Sequence, residues 1–207
     1  MSQKTQIVFI LDESGSMHPL QSDTIGGFNS YIEQQKSNDV NADVTVVLFN
    51  QTCRVLYDRQ SVYKIPVMKN TDYIPQGCTA LLDAIGLSVK DAENNFGKND
   101  KVLFVITTDG LENASHQYTY HDIKKMISRK SEEGWEFIFL GANIDAASEA
   151  EKIGISPQRS ARYVNDSKGI KLNFRIVADA SSQYACGKPI RDDWSEDIKA
   201  DYSARGK

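Results

Sequence analysis

The chain has 207 residues, of which 25% are charged and 40% are hydrophobic, a composition that is ordinary for one folded domain and excludes an intrinsically disordered protein. Its net charge is −4 at pH 7, so we expect no nucleic acid as the main partner, because phosphate binding needs a basic surface. We also expect no membrane span, since no stretch approaches the roughly 18 apolar residues of a membrane helix.

The compartment is inferred from the first apolar run and from the cysteines. The run from Ile7 to Leu11 is too short for the core of a signal peptide. Cys53, Cys78 and Cys186 are odd in number and widely spaced, which fits neither a disulfide framework nor a zinc pattern. We therefore expect a reducing cytoplasm, with Cys78 as a small buried side chain.

In the first half of the chain, short β-rich runs alternate with helical patterns. The run Gln6–Leu11 is apolar on both sides and predicts a central strand. Ser22 and Asp23 are expected to cap a helix that buries one apolar stripe. Residues 44 to 49 and 54 to 57 predict two strands joined as a hairpin, which adds an antiparallel edge to the sheet.

The second half continues the alternation. The predicted elements are, in order, a helix from Leu81 through Val89, a central strand at 102–107, a helix opened by a capping box of Thr119 and Asp122, a strand at 135–140 stopped by Gly141, a helix at 146–153, a short strand at 161–164 and a helix at 167–185. The pattern predicts an α/β fold with a doubly wound, mostly parallel central sheet, one antiparallel edge strand and helices on both faces. We assign residues 1–187 to this domain and residues 188–207 to a charged, mobile C-terminal tail.

Oxygen-bearing side chains cluster after the first predicted strand. Asp12, Ser14 and Ser16 alternate along the loop, so their side chains project in the same general direction, and Gly15 lets the backbone turn between the two serines. The carboxyl edge of an open α/β sheet is where such loops meet a ligand. Three oxygens at this spacing suit a hard cation.

Two other loops are expected to reach the same edge of the sheet. The strand at 102–107 ends in Thr107, Thr108 and Asp109, and the segment before the Leu81 helix offers Thr79. The topology of a doubly wound sheet brings these loops together with the first. Two carboxylates and several hydroxyls would then face one pocket.

These residues resemble the metal-ion-dependent adhesion site of a von Willebrand factor A domain. Asp12, Ser14 and Ser16 match the D-x-S-x-S loop of that family, Thr79 in GCTALLDAI matches its second-loop threonine, and Asp109 in ITTDG matches its third-loop aspartate. The alternation of strands and helices fits the family from residue 6 to about 180. The last helix and tail are less well matched.

The resemblance implies that these five residues hold a divalent cation, Mg²⁺ or alternatively Mn²⁺ or Ca²⁺. Neutral hydroxyls as the main direct ligands leave the ion strongly positive, so an Asp or Glu carboxylate of a partner protein would complete its coordination shell. The implied function is cation-dependent protein binding and not catalysis.

Alternative interpretations stay open at this stage. A phosphatase could use Asp12 as its nucleophile, although Ser14 stands where the general acid of such enzymes would be. An esterase could use Ser14, which would need a histidine base beside it. A third alternative is a structural subunit that binds partners without metal.

Neighbouring polar residues are expected to play lesser roles. Glu13, Asp83 and Glu112 are interpreted as solvated or as supporting the ligands. The three histidines share no metal-like spacing and are expected at the surface or in helix caps; they are His18, His116 and His121.

Overall fold

The computed structural model describes residues 4–206. Six strands form its single sheet: β1 Thr5–Asp12, β2 Ala42–Phe49, β3 Cys53–Ser61, β4 Lys101–Thr108, β5 Glu136–Ala142 and β6 Ser160–Tyr163. Six α-helices accompany them: α1 Gln21–Ser37, α2 Leu81–Asn95, α3 Tyr120–Glu132, α4 Ala146–Lys152, α5 Ser167–Ala185 and α6 Glu196–Arg205. The strands from β1 to β6 and the helices from α1 to α5 correspond to the elements predicted from the sequence.

The sheet has the strand order β3-β2-β1-β4-β5-β6. All neighbouring strands are parallel except β2 and β3, which form the predicted antiparallel edge. The predicted fold class, a doubly wound and mostly parallel α/β sheet, is therefore confirmed. The chain leaves β1 toward β2 on one side and later returns to β4 on the other, which makes the β1/β4 boundary the switch point of the topology.

Alternate residues of β1 pack into two separate hydrophobic cores. Ile7, Phe9 and Leu11 face α1 and α5, whereas Val8 and Ile10 face α2 and α3. All five side chains are almost fully buried. A central strand with helices on both faces must be apolar at every position, which is why the run reads as continuous and not alternating.

The start of α1 differs from the prediction. A short 3₁₀ helix at Gly15–Leu20 comes directly before α1, and Leu20 occupies the N-cap without a side-chain cap bond. Ser22 and Asp23 lie inside the first turn, so their predicted capping role is wrong. The Asp23 carboxylate instead accepts a hydrogen bond from Ser167, a residue of α5.

The C-terminal segment is the largest departure from the sequence-based expectation. The mobile tail predicted for residues 188–207 is wrong for its described part, because residues 196–205 form α6 and pack against β6 and α5. Ile190 and Ile198 are buried in the α1/α5 core. The sequence of α6 shows no apolar periodicity, because Ile198 is its only buried residue. Ion pairs with the rest of the domain stabilise the other turns of the helix.

Candidate functional site

Polar side chains gather at the carboxyl ends of β1 and β4. Asp12 is the last residue of β1, and Thr108 is the last residue of β4, one register position beyond the pair of Leu11 with Thr107. This edge is the switch point where the loops after the two strands diverge. Ligands of open α/β sheets bind at such a point.

The Asp12 carboxylate is buried and hydrogen-bonded on both oxygens. It is 1% exposed. Its Oδ1 accepts the Ser14 backbone N–H at 2.7 Å, and its Oδ2 accepts the Thr108 hydroxyl at 2.6 Å. The Tyr73 hydroxyl donates to the backbone carbonyl of Asp12 at 2.5 Å. The residue is therefore fixed in both main chain and side chain.

A chain of short contacts joins the first and third loops. The hydroxyl oxygens of Ser14 and Ser16 lie 3.1 Å apart, and Ser16 donates to Asp109 Oδ1 at 2.5 Å. Ser14 and Asp109 are buried, whereas Ser16 is exposed. The cluster therefore opens to solvent at Ser16.

Thr79 comes from the second loop and stands beside the third. Its backbone N–H donates to the Asn113 side chain at 2.9 Å, and its carbonyl accepts the Asn113 N–H at 3.0 Å. Its Oγ1 lies 3.8 Å from the place where a β-carbon on Gly110 would stand. The Gly15 N–H donates to the Gly77 carbonyl at 3.1 Å, which ties the first loop to the second.

Burial and mutual repulsion shape the electrostatics of the site. Burial raises the pKa of Asp12; hydrogen bonds from Ser14 and Thr108 act against this rise, and the charge of Asp109 adds to it. Burial also raises the pKa of Tyr163, which Asp109 and Asp12 raise further. Burial and the charge of Asp12 also raise the pKa of Tyr73. Asp12 and Asp109 therefore lie close enough for the charge of one to affect the titration of the other.

The donor set fits a hard cation. Asp12 and Asp109 form no ion pair with any basic side chain of residues 4–206, although both are nearly inaccessible to solvent. A buried carboxylate is costly unless a cation or several donors compensate it. No group of three or more His, Cys, Asp and Glu side chains in the described part could hold a metal, so any metal there depends on hydroxyl oxygens as well. Carboxylate and hydroxyl oxygens are the ligand types that Mg²⁺ and Ca²⁺ take.

A further set of acidic residues braces the loop that follows Asp109. We call residues 110–118 the clamp loop. Three of its backbone N–H groups donate to Asp83 at 2.9 Å, those of His116, Gln117 and Tyr118. Glu112 accepts the backbone N–H of Leu82 at 2.9 Å. The predicted supporting role suits Asp83 and Glu112, since each joins the clamp loop to α2.

Sequence reasoning missed several residues that the structure adds to the site. Thr108 was noted for its hydroxyl but not given a role, and its position next to Asp109 was the available signal. Tyr73 and Asn165 gave no signal, because they contact the site across 61 and 56 residues of sequence. Asn165 donates its side-chain N–H to Asp109 Oδ2 at 3.3 Å.

The remaining polar neighbours lie outside the cluster. Glu13 is buried and forms a bidentate ion pair with Arg54, with N···O distances of 3.2 and 2.7 Å. The three histidines are exposed, as expected for surface residues. Cys78 is exposed too, so the prediction of a small buried side chain is wrong there. Its loop turns outward at Gly77, whose φ is +75°.

Comparisons with known proteins agree with this architecture. The family model of the von Willebrand factor type A domain matches residues 6–175. Among curated protein sequences, none matches the chain. Within residues 4–206, no helix is long and apolar enough to cross a membrane.

Solved structures give the same fold at low sequence identity. The pilus adhesin SpaC from Lactobacillus rhamnosus GG matches with a TM-score of 0.71 and 12% identity over 88% of this chain and 30% of that chain. The proximal thread matrix protein 1 of the mussel byssus, with a zinc-occupied MIDAS motif, has a TM-score of 0.63. The identity is 17% over 86% of this chain and 48% of that chain.

The domain of the type V pili tip protein Mfa5 from Porphyromonas gingivalis matches over 92% of this chain and 97% of that chain, with 8% identity and a TM-score of 0.69. This chain thus spans well under two thirds of the adhesin and of the byssus protein but nearly all of the tip-protein domain. At these identities the likeness concerns the fold.

Proposed function

Because the chain belongs to the von Willebrand factor type A domain family, we propose that it is a divalent-cation-dependent protein-binding module. The metal would be held by Asp12, Ser14, Ser16, Thr79 and Asp109. Mg²⁺ is the proposed ion, with Mn²⁺ or Ca²⁺ as alternatives. The observation that carries the proposal is the pair of buried carboxylates with serine hydroxyls between them and no basic partner within residues 4–206.

The proposed partner is a protein that offers an Asp or Glu carboxylate. Mg²⁺ takes about six oxygen ligands at about 2.0 to 2.1 Å and usually keeps several waters, so an outside carboxylate can replace one of them. Serine and threonine oxygens carry no charge, and they leave the ion attractive to that carboxylate. The exposed Ser16 stands at the side of the cluster from which such a partner would approach.

The names of similar structures support protein binding without identifying a partner or a metal. A pilus adhesin and a pili tip protein share the fold, and the byssus protein carries zinc in its MIDAS motif. Which ion this chain takes, and its location in the cytoplasm, stay predictions.

Hydrolysis is the competing function. None of the described histidine side chains hydrogen-bonds to Ser14, whose hydroxyl neighbour is Ser16. An esterase would need a base in that place. Hydrolysis of a model phosphate or ester that disappears in Asp12→Ala or Ser14→Ala would replace binding with catalysis as the function.

Metal-dependent thermal stability tests the proposal directly. A ligand present at 100 times its Kd stabilises the folded state by about 2.7 kcal/mol, which for a domain of this size raises Tm by about 5 to 10 °C. We expect this rise on replacing chelator with Mg²⁺ or Mn²⁺ in the wild-type protein. Asp12→Ala and Asp109→Ala should abolish it.

The matched control is Asp91→Ala, which removes an exposed carboxylate of α2 outside the cluster. It should keep the full metal-dependent rise. An unchanged Tm of the wild-type protein at all metal concentrations would refute the proposal. Partner capture that chelator and Asp12→Ala both prevent would extend the result from metal binding to protein binding.

A further inference from the structure

A fourth segment of the chain reaches the site through Asn165. The two oxygens of Asp109 have different partners: Oδ1 accepts from Ser16, and Oδ2 accepts from the Asn165 amide at 3.3 Å. The two contacts together fix the rotation of the carboxylate. Turning the amide over would place its oxygen against a carboxylate oxygen, so the contact with Asp109 also selects the orientation of Asn165.

The segment that carries Asn165 is tightly folded. In this asparagine loop (residues 164–169), Asp166 caps α5 by accepting the Gly169 N–H at 2.8 Å. A β-carbon on Gly169 would stand 2.0 Å from the Val164 carbonyl oxygen, so only glycine allows this approach. The Ser167 hydroxyl donates to Asp23 of α1 at 2.6 Å. The loop is therefore fixed at the start of α5 and held against α1.

The C-terminal helix α6 provides a third anchor. Arg205 donates to Asp166 and to Asp201, each at 2.5 Å. The guanidinium of Arg162, in β6, lies 4.6 Å from the ring centre of Tyr202. The residue that caps α5, directly after Asn165, is thus paired with a helix that lies beyond the family match to residues 6–175.

We propose that Asn165 is a positioning residue of the metal site, which orients Asp109 toward the serine hydroxyls, and that α6 holds Asn165 in place through Arg205. This inference rests on the proposed metal site. It assigns a role to two residues that match no element of the adhesion-site motif. It also gives α6 a role in the site, through the residue directly after Asn165.

Manganese affinity measured by titration calorimetry is the first test. Partners that orient a metal ligand typically contribute about 10- to 100-fold to metal affinity, so we expect Asn165→Ala to weaken Mn²⁺ binding about tenfold. Arg205→Met should weaken it less, because Asp166 still caps α5. Arg205→Lys should restore part of the loss, since a lysine keeps the positive charge opposite Asp166.

A double mutant separates positioning from general stability. If Arg205 acts through Asn165, then Arg205→Met has no further effect on affinity when Asn165 is already alanine. The control is Arg175→Met, which removes the Arg175–Asp197 pair between α5 and α6 away from the site. It should leave the Mn²⁺ affinity unchanged. All variants are compared at a temperature where circular dichroism shows them folded.

The outcomes distinguish this inference from the proposed function. If the wild-type protein binds no Mn²⁺, the metal site itself is refuted, and the role of Asn165 with it. If the wild-type protein binds Mn²⁺ and Asn165→Ala binds it equally well, only the positioning role is refuted. Equal effects of Arg205→Met with and without Asn165 would overturn the link through α6. Should Asn165→Ala fail to fold, Asn165→Ser takes its place in each comparison.

Discussion

The two loops that flank Asp109 are held in different ways. The clamp loop is bound by buried or half-buried carboxylates, Asp83 and Glu112, which accept several backbone N–H groups. The asparagine loop reaches Asp109 through one side-chain contact of 3.3 Å, and one of its three anchors is a partly exposed ion pair with α6. Backbone hydrogen bonds to a buried carboxylate are stronger and less sensitive to salt than a surface ion pair. The clamp loop should therefore be the fixed side of the site, and the asparagine loop the adjustable side.

The largest expected effect comes from breaking the clamp. Asp83→Ala leaves three backbone N–H groups of the clamp loop without their acceptor, and we expect it to lower the free energy of unfolding by about 3 kcal/mol. Urea denaturation measures the change. The control is Asp91→Ala on the same helix, which should change stability by no more than about 0.5 kcal/mol. Equal effects of the two substitutions would show that the hydrogen bonds to Asp83 add no more to the free energy of unfolding than an exposed carboxylate does.

A smaller effect is expected from forcing a side chain into the asparagine loop. Gly169→Ala places a β-carbon against the Val164 carbonyl and should destabilise the domain by about 1 to 3 kcal/mol. Gly26 is an exposed residue in α1, and a β-carbon added there would meet no neighbouring side chain within 4 Å. Gly26→Ala should therefore stabilise by about 0.5 to 1 kcal/mol. Thermal unfolding of both variants checks the opposite signs, and two shifts of the same sign would contradict the packing argument.

The smallest effect concerns the attachment of α6 in acid. Hydrogen bonding to Arg205, followed by Lys168, lowers the pKa of Asp201 from 3.8 to about 2, and Asp166 is the other carboxylate on Arg205. A lowered pKa contributes stability above the ordinary value of 3.8, and that contribution is lost as pH falls through the folded-state value near 2. We expect the amide resonances of residues 198–205 to move between about pH 4 and pH 2.

In the same acid titration the asparagine loop should respond together with α6, whereas the clamp loop should not. Resonances of residues 164–169 should follow those of α6. In Arg205→Met the midpoint of this shared transition should move up toward about pH 4, because both carboxylates lose the cation that lowers their pKa. A midpoint that stays unchanged in Arg205→Met would contradict the claim that Arg205 lowers the pKa of these two carboxyls.

Most of the fold could be predicted from the sequence because it depends on local patterns, whereas the five proposed metal ligands follow from the resemblance to a family motif and stay a prediction. Strands β1 and β4 are continuous apolar runs, and each ends directly in oxygen-bearing residues such as Asp12 and Asp109. The capping box of Thr119 and Asp122 was also predicted, and the structure confirms it. Each of these signals lies within a few residues of the feature that it predicts.

The features that were missed depend on contacts between distant residues. The Asn165 amide reaches Asp109 across 56 positions, and Arg205 reaches Asp166 across 39. The start of α1 was misplaced for the same reason, since Asp23 is hydrogen-bonded to Ser167, 144 positions later in the chain, and not to its own helix. No spacing rule in the sequence links such pairs.

The sequence alone determined which strands are central, that one edge strand is antiparallel and that helices cover both faces, and it predicted the edge of the sheet that carries the proposed ligands. Periodic burial fixes these properties, and a residue's neighbours along the chain are enough to reveal it. Only the tertiary structure decided that α6 folds onto β6 and that Asn165 contacts Asp109. A helix with a single buried apolar residue is stabilised by side chains elsewhere in the chain, and its own sequence cannot record them.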